Sequence, residues 1–270
     1  MTESLVRDDE SLAQLFDRKI ALIQARRGHR TAVDALALAW CAAHAYGLAG
    51  GQPSRLVDLG AGSGIVALLL GAFWPQVALT LVELQPQQAD RARRNLLLNA
   101  MADRAEVLAH DLAEALPSTL PPCDLVVSNP PYRQAGPDQP PVNRERRLAH
   151  FETSAGLGLW MRRVAQLLVP TGLAVVVYPW KDRERLAMAA AAAGLADQQL
   201  VPMRHRPSDA VPTRAILVAG QPLGRAGLIK MSGLTLHPEV GPDSTYSLDI
   251  TKFIGDLRPA HLTTLPPLPR

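Results

Sequence analysis

Between Arg55 and Ala219 short apolar runs take turns with segments of helical length. That alternation constrains the fold more than any single motif. Arg55–Leu59, Ala78–Leu84, Ala105–His110, Asp124–Ser128, Gly172–Tyr178, Leu195–Arg204 and Arg214–Ala219 read as strands. Ile65–Phe73, Gln87–Met101, Phe151–Leu168 and Asp182–Ala193 read as the helices that join them. Helical crossovers place successive strands parallel. The expectation is an α/β fold with a doubly wound, seven-stranded, mostly parallel sheet.

With 270 residues, 47% of them hydrophobic, the chain can bury a core for one such domain, placed at residues 51–222. Residues 1–50 read as a short helical N-terminal extension. Leu12 to Ile23 carries apolar residues at helical spacing, and a second helix is expected from Ala32 to about Tyr46. Residues 223–270 read as a C-terminal extension rich in Gly, Pro and Thr, expected to wrap the end of the sheet and to end in disorder.

Two turns carry the chemistry. The first is Val57-Asp58-Leu59-Gly60-Ala61-Gly62-Ser63-Gly64, which leaves one strand and opens a helix. Glycines there allow a tight turn and close approach of a ligand to the backbone. Glu83 ends the next strand, about 20 residues on, where an acid binds ribose hydroxyls in such folds. A dinucleotide would set a pyrophosphate on the helix N-terminus. Asp58 would point a carboxylate into that region, which disfavours phosphate and suits an ammonium group. Asp111, just after the third strand, is placed to meet an adenine amino group, or is a solvated loop carboxylate.

The second turn is Asn129-Pro130-Pro131-Tyr132, directly after the strand Asp124–Ser128. Two prolines lack N–H groups and fix φ, so the chain must leave the sheet in a stiff, extended turn. The Asn129 side-chain oxygen and the Pro130 carbonyl can each accept a hydrogen from a planar NH2 group, while Tyr132 stacks on its face.

In this order, Asp58 to Gly64, Glu83 and Asn129 to Tyr132 resemble the class I S-adenosylmethionine-dependent methyltransferases. The Asn-Pro-Pro-Tyr form resembles those that methylate a planar amino nitrogen of a base or a glutamine amide. Arg30, Asp34 and Leu36-Ala37-Leu38-Ala39 are similar to the "R-F-x-T-D-A-x-L-L-A" segment of the bacterial tRNA(Val) adenine 6-amino methyltransferase family. Asn143, Ala149-His150-Phe151-Glu152 and the Gly227-to-His237 segment fit the same pattern. Val33 and Thr31 depart from it.

The resemblance implies a Rossmann-like domain and S-adenosyl-L-methionine as cofactor, with the N-terminal extension covering its site. The implied cofactor set is Asp34, Asp58, Gly60, Ala61, Gly62, Gly64, Glu83, Leu84, Asp111 and Asn129. The implied catalytic set is Asn129, Pro130, Pro131 and Tyr132. The implied activity is methyl transfer to the exocyclic amine of an RNA adenine in a tRNA anticodon loop. The alternative is a release-factor glutamine N-methyltransferase, which shares the four-residue motif but has a longer helical N-terminal domain.

Arg26, Arg27, Arg30, Arg133, Arg144, Arg146, Arg147 and Arg206, with Arg204, His205 and Arg214 nearby, form a phosphate-binding rim if they converge on the pocket mouth. Otherwise they are solvated surface charges. The net charge of +3 and pI of about 9.1 permit such a partner. Trp74, Trp160 and Trp180 read as core or edge packing. Cys41 and Cys123 have no metal or redox spacing, which fits a reducing compartment and no metal. Met1 to Glu10 does not read as a signal peptide, and Ile65 to Trp74 is short of the about 20 residues that span a bilayer, so a cytoplasmic location without membrane contact is expected.

Overall fold

The computed structural model describes residues 5–26, 33–48, 51–131, 156–221, 231–242 and 245–259. In chain order these form strands β1 (Glu10–Leu15) and β2 (Ile20–Ala25), helix α1 (Val33–Leu48), then β3 (Arg55–Leu59), α2 (Ile65–Phe73), β4 (Ala78–Glu83), α3 (Pro86–Leu98), β5 (Ala105–Ala109) and β6 (Cys123–Ser128). There follow α4 (Gly156–Leu167), β7 (Leu168–Pro179), α5 (Arg183–Ala192), β8 (Ala196–Arg204), β9 (Arg214–Gly220), β10 (Leu234–Thr235) and α6 (Leu248–Asp256).

The central sheet has the order β10-β8-β9-β7-β6-β3-β4-β5. Every neighbouring pair is parallel except the two that involve β9. Among the described residues the sheet thus has eight strands, one more than expected. The extra one is the two-residue β10, which pairs with Met203 and Arg204 of β8. The chain winds from β3 out to β5, then returns to β6 on the other side of β3. The order reverses between β3 and β6, and doubly wound folds bind their ligands at the carboxyl ends of the strands at such a point.

Alternation along each strand feeds a core on either side. Leu56, Leu125, Val127 and Val175 face α1, α2 and α3, while Val57, Leu59, Val126 and Val176 face α4 and α5. Helix α2 is apolar all round and buried from Ile65 to Ala72, as suits a helix packed between a sheet and other helices. Leu68, Leu69 and Leu70 are fully buried, each worth about 1.5–3 kcal/mol.

The helix expected over Leu12–Ile23 is not formed. Those residues make the antiparallel hairpin β1–β2, in register from Glu10↔Ala25 to Leu15↔Ile20. The apolar run that suggests a helix also suits β2, whose first four residues are buried on both faces. Ile20 and Leu22 enter the main core, while Ala21 and Ile23 pack with Leu98 in a smaller cluster. At the turn Phe16, Asp17 and Arg18 have φ of 55°, 55° and 65°. Left-handed non-glycine residues cost about 1–2 kcal/mol each, and packing of Phe16 against the core offsets part of that.

Helix α3 supplies the hairpin's missing partner strand. Asn95 accepts from the Ile23 N–H (2.6 Å) and donates to the Ile23 carbonyl (3.0 Å). One turn later Asn99 does the same to Ala21, at 3.0 and 2.7 Å. The i, i+4 spacing on the helix matches two residues along a strand. On the same helix, Arg91 and Arg94 clasp the buried Glu10 carboxylate, with contacts of 2.6 to 2.8 Å. Burial alone would raise the Glu10 pKa. Hydrogen bonds from Arg94, the Arg7 N–H and Arg91 outweigh it and hold that pKa down at about 2. Lys19 Nζ donates to the Ile254 and Gly255 carbonyls near the C-terminus of α6, joining the hairpin to the C-terminal segment.

Candidate active site

The glycine turn folds over the neighbouring strand. The N–H groups of Gly60 and Ala61 both donate to the Val82 carbonyl (2.8 and 3.1 Å). Gly60, Gly62 and Gly64 have φ of 76°, 55° and 88°, the left-handed region where glycine carries no Cβ penalty. A Cβ at Gly64 would sit 3.0 Å from Leu81 Cδ2, so that glycine permits close helix–sheet packing. A Cβ at Gly62 would meet nothing within 4 Å. The turn therefore offers open space beside the Gly62 backbone.

Three carboxylates surround this turn. Glu83, 6% exposed, accepts from the Gly62 N–H through Oε2 (2.8 Å) and from the Gln85 N–H through Oε1 (2.8 Å). Burial raises its pKa despite those bonds. The Leu84 N–H bonds to the same carboxylate, and the acceptor capacity that remains suits a ligand hydroxyl. Asp58, 1% exposed, lies beneath the turn and not in it. Its Oδ2 accepts from the Ala67 N–H in the first turn of α2 (3.2 Å), the place of a side-chain cap that Gly64 cannot supply. Burial, with the nearby Glu83 charge, pushes the Asp58 pKa up to about 7. A carboxylate already fills the anion-binding end of α2, so the turn fits a cationic or neutral ligand better than a pyrophosphate.

Asp111 follows β5. Its Oδ1 accepts from the Ala113 N–H (2.9 Å), and the preceding His110 N–H donates to the Glu83 carbonyl (3.0 Å), which brings this loop beside Glu83. His110 Nε2 is buried with no hydrogen-bond partner among the described residues. Nothing in the sequence singled it out.

The second turn meets the first across the switch point. Leu59 pairs with Ser128, so Gly60 and Asn129 leave adjacent strands at the same level. Asn129 and Pro131 are half-buried and Pro130 is buried. Ser128 Oγ donates to the Leu59 carbonyl (2.6 Å) and accepts from Trp160 Nε1 (2.9 Å). Trp160, read from sequence as packing alone, thus carries a specific polar contact.

Asp34 begins α1 and forms an ion pair with Arg214 at the start of β9, through Nε (3.0 Å) and Nη2 (2.9 Å). Arg206 donates to the carbonyls of Pro238 (2.6 Å) and Gly241 (2.8 Å), and Arg26 Nε to the carbonyl of Glu10 (2.7 Å). Both support loops locally. Tyr132, Arg27, Arg30, Arg133, Asn143, Arg144, Arg146, Arg147 and His150 to Glu152 lie outside the described residues. Cys123 is buried, and burial raises its thiol pKa to about 12, with Asp124 adding to the effect, which leaves it inert.

The geometry has counterparts among known proteins. Residues 48–145 match the model of the methyltransferase small domain. The chain is similar to a tRNA1(Val) (adenine(37)-N6)-methyltransferase of Porphyromonas gingivalis, 30% identical over 162 residues. That stretch is 59% of this chain and 63% of the relative, so less than two thirds of that relative's length is spanned. The enzyme of the same name from Parabacteroides distasonis is 30% identical over 203 residues, covering 75% of this chain and 81% of the relative. In three dimensions, a predicted O-methyltransferase of Agrobacterium tumefaciens superposes with a TM-score of 0.63, covering 84% of this chain and 98% of its own, at 21% identity. That likeness shows a shared fold. With the second of these relatives matched along most of both sequences, the protein belongs to the tRNA1(Val) (adenine(37)-N6)-methyltransferase family.

Proposed function

We propose that this protein transfers a methyl group from S-adenosylmethionine to the exocyclic amine of an unpaired adenine in tRNA, in the anticodon loop. The observation that carries the reading is the meeting of the glycine turn and Asn129-Pro130-Pro131 at the ends of β3 and β6. One turn suits a donor without phosphates, and the other presents acceptors to a planar NH2 group.

The donor supplies an electrophilic methyl group on a sulfonium. The chain's own residues do the rest. The open backbone at Gly62 and the remaining acceptor capacity of Glu83 hold the ribose side of the donor, with Ala61 and Leu84 lining it and Asp111 toward its base. The Asn129 side-chain oxygen and the Pro130 carbonyl accept the two amine hydrogens. That favours a more pyramidal nitrogen whose lone pair is available for attack. As the nitrogen–carbon bond forms, the carbon–sulfur bond breaks, and the nitrogen loses a proton to solvent once methylated. No strong base is needed beforehand, so positioning supplies much of the rate. Tyr132 stacks on the base, a contact worth about 1–3 kcal/mol. Arg27, Arg30, Arg133, Arg144, Arg146 and Arg147 receive the flanking phosphates, with Arg26 and Arg206 bracing neighbouring loops. A base splayed from an anticodon loop needs little unpairing. A tRNA substrate places the protein in the cytoplasm. Among the described residues no helix is long and apolar enough to cross a membrane.

The test is incubation with labelled donor and either a tRNA1(Val) transcript or a release factor. Label in N6-methyladenosine after nuclease digestion supports the reading. Label in a release-factor glutamine, with none in tRNA, replaces it by the protein N-methyltransferase alternative.

A further inference from the structure

We infer that Trp160 and Ser128 form a pin that sets the separation between the glycine turn and Asn129-Pro130, which makes Trp160 a positioning residue for methyl transfer. The inference deepens the proposed function and rests on it. Its parts lie at the last residues of the two strands that flank the switch point. Ser128 ends β6, one residue before Asn129, and Leu59 ends β3, one residue before Gly60.

The Ser128 hydroxyl, fully buried, both accepts and donates. The indole N–H of Trp160 donates to it (2.9 Å), and it donates to the Leu59 carbonyl (2.6 Å). A hydroxyl held from both sides has its rotor fixed. The chain from α4 through Ser128 to Leu59 therefore ties both turns to one helix. The same indole also acts sterically. A Cβ at Gly60 would lie 2.8 Å from Trp160 Cζ2 and 3.0 Å from Cη2, so the ring forms the floor on which Gly60 rests. One side chain, 7% exposed, thereby sets both the lateral spacing of the strand ends and the height of the donor turn.

An indole used only for packing would need any one acceptor for its N–H. Here the acceptor is the residue that launches the acceptor turn, and the benzo atoms Cζ2 and Cη2 of the same ring lie against the first residue of the donor turn. The reaction is sensitive to this spacing, because an in-line transfer misplaced by about 1 Å can lose about a hundredfold in rate.

Trp160→Phe removes the N–H and narrows the floor, while Ser128→Ala deletes only the bridging oxygen and is the milder change. For both, binding of S-adenosylhomocysteine by calorimetry and the KM for tRNA should stay within about threefold of the parent protein. The kcat should fall about 10–100-fold. The double variant should be slowed by less than the product of the two single effects, since both variants lose the shared Trp160–Ser128 bond. Hydrogen exchange, which needs no acceptor, should quicken at the amides of residues 60–64 and of Asn129 together. Unchanged kcat in both variants, or exchange that quickens in α4 alone, overturns the pin. If the parent protein itself leaves tRNA unmethylated, the substrate reading fails, and the exchange measurement alone decides the pin.

Discussion

Asp58→Asn should change the pH dependence of stability in a direction opposite to the usual effect of removing a buried charge partner. Asp58 is 1% exposed and, among the described residues, accepts one hydrogen bond, from the Ala67 N–H at 3.2 Å. Burial and the neighbouring Glu83 raise its pKa from the ordinary 3.8 to about 7 on folding. A group whose pKa is raised by folding contributes its full stability below the unfolded value and loses it as pH rises through the folded value. Between pH 5 and pH 8 that loss amounts to roughly 2–3 kcal/mol, at about 1.4 kcal/mol per pH unit. The asparagine keeps an acceptor for Ala67 but cannot ionise, so this part of the slope should vanish. Its amide NH2 is a new buried donor and costs about 1–3 kcal/mol at every pH if unpaired. The variant should therefore be weaker than the parent at pH 5 and gain on it by pH 8. Urea denaturation of both proteins at the two pH values, without donor, measures this. Equal slopes for the two proteins would refute the assignment of a raised pKa to Asp58. A separate titration should show weaker donor binding by the variant, as expected if the anionic form favours a cationic ligand.

Other outcomes follow from the same contacts. Glu10→Gln should cost about 3 kcal/mol at pH 7, because it removes a carboxylate clasped by Arg91 and Arg94. The parent's advantage should be lost as pH falls from about 4.5 through about 2, since folding depresses that pKa; denaturant midpoints across this range check it. Asn99→Ala should expose the Ala21 backbone groups and speed proteolysis of the hairpin while leaving sheet amides protected, as native-state hydrogen exchange would show. Replacing Arg146 and Arg147 by alanine together should weaken tRNA binding and flatten its salt dependence, with donor binding unchanged, in filter-binding titrations.

The sequence disclosed the fold where local signals and long-range needs agree. Arg55–Leu59 and Ile65–Phe73 were read with their observed boundaries because glycines punctuate the junction between them. The prolines after Ser128 marked the end of β6 in the same way. The N-terminal hairpin is not legible locally because its decisive partners are remote. The amides that complete the edge of β2 come from Asn95 and Asn99, 72 and 78 residues away, and no local periodicity announces them. Strand β10 is two residues long, too short to carry a pattern. At the site, the turns and Glu83 were legible because their residue types are unusual in that order. The depth of Asp58 was not, since a carboxylate before a glycine turn can point into the turn or, as here, under it toward Ala67. The role of Trp160 was equally hidden. Sequence shows a tryptophan on an apolar helix face, and only the packing of α4 against β6 shows that its N–H meets Ser128.

In the proposed function the adjacent ends of β3 and β6 hold a methyl donor and an acceptor amine face to face. Single-turnover methylation of tRNA1(Val) transcript by the parent protein and by Asn129→Ala tests it most directly, with donor affinity measured on the same samples. The parent should form N6-methyladenosine at one anticodon-loop adenine. The variant should show a rate constant lower by about two orders of magnitude or more at nearly equal donor affinity, because the lost hydrogen bond serves the reacting group. An Asn129→Ala protein that methylates at close to the parent rate would contradict the claim.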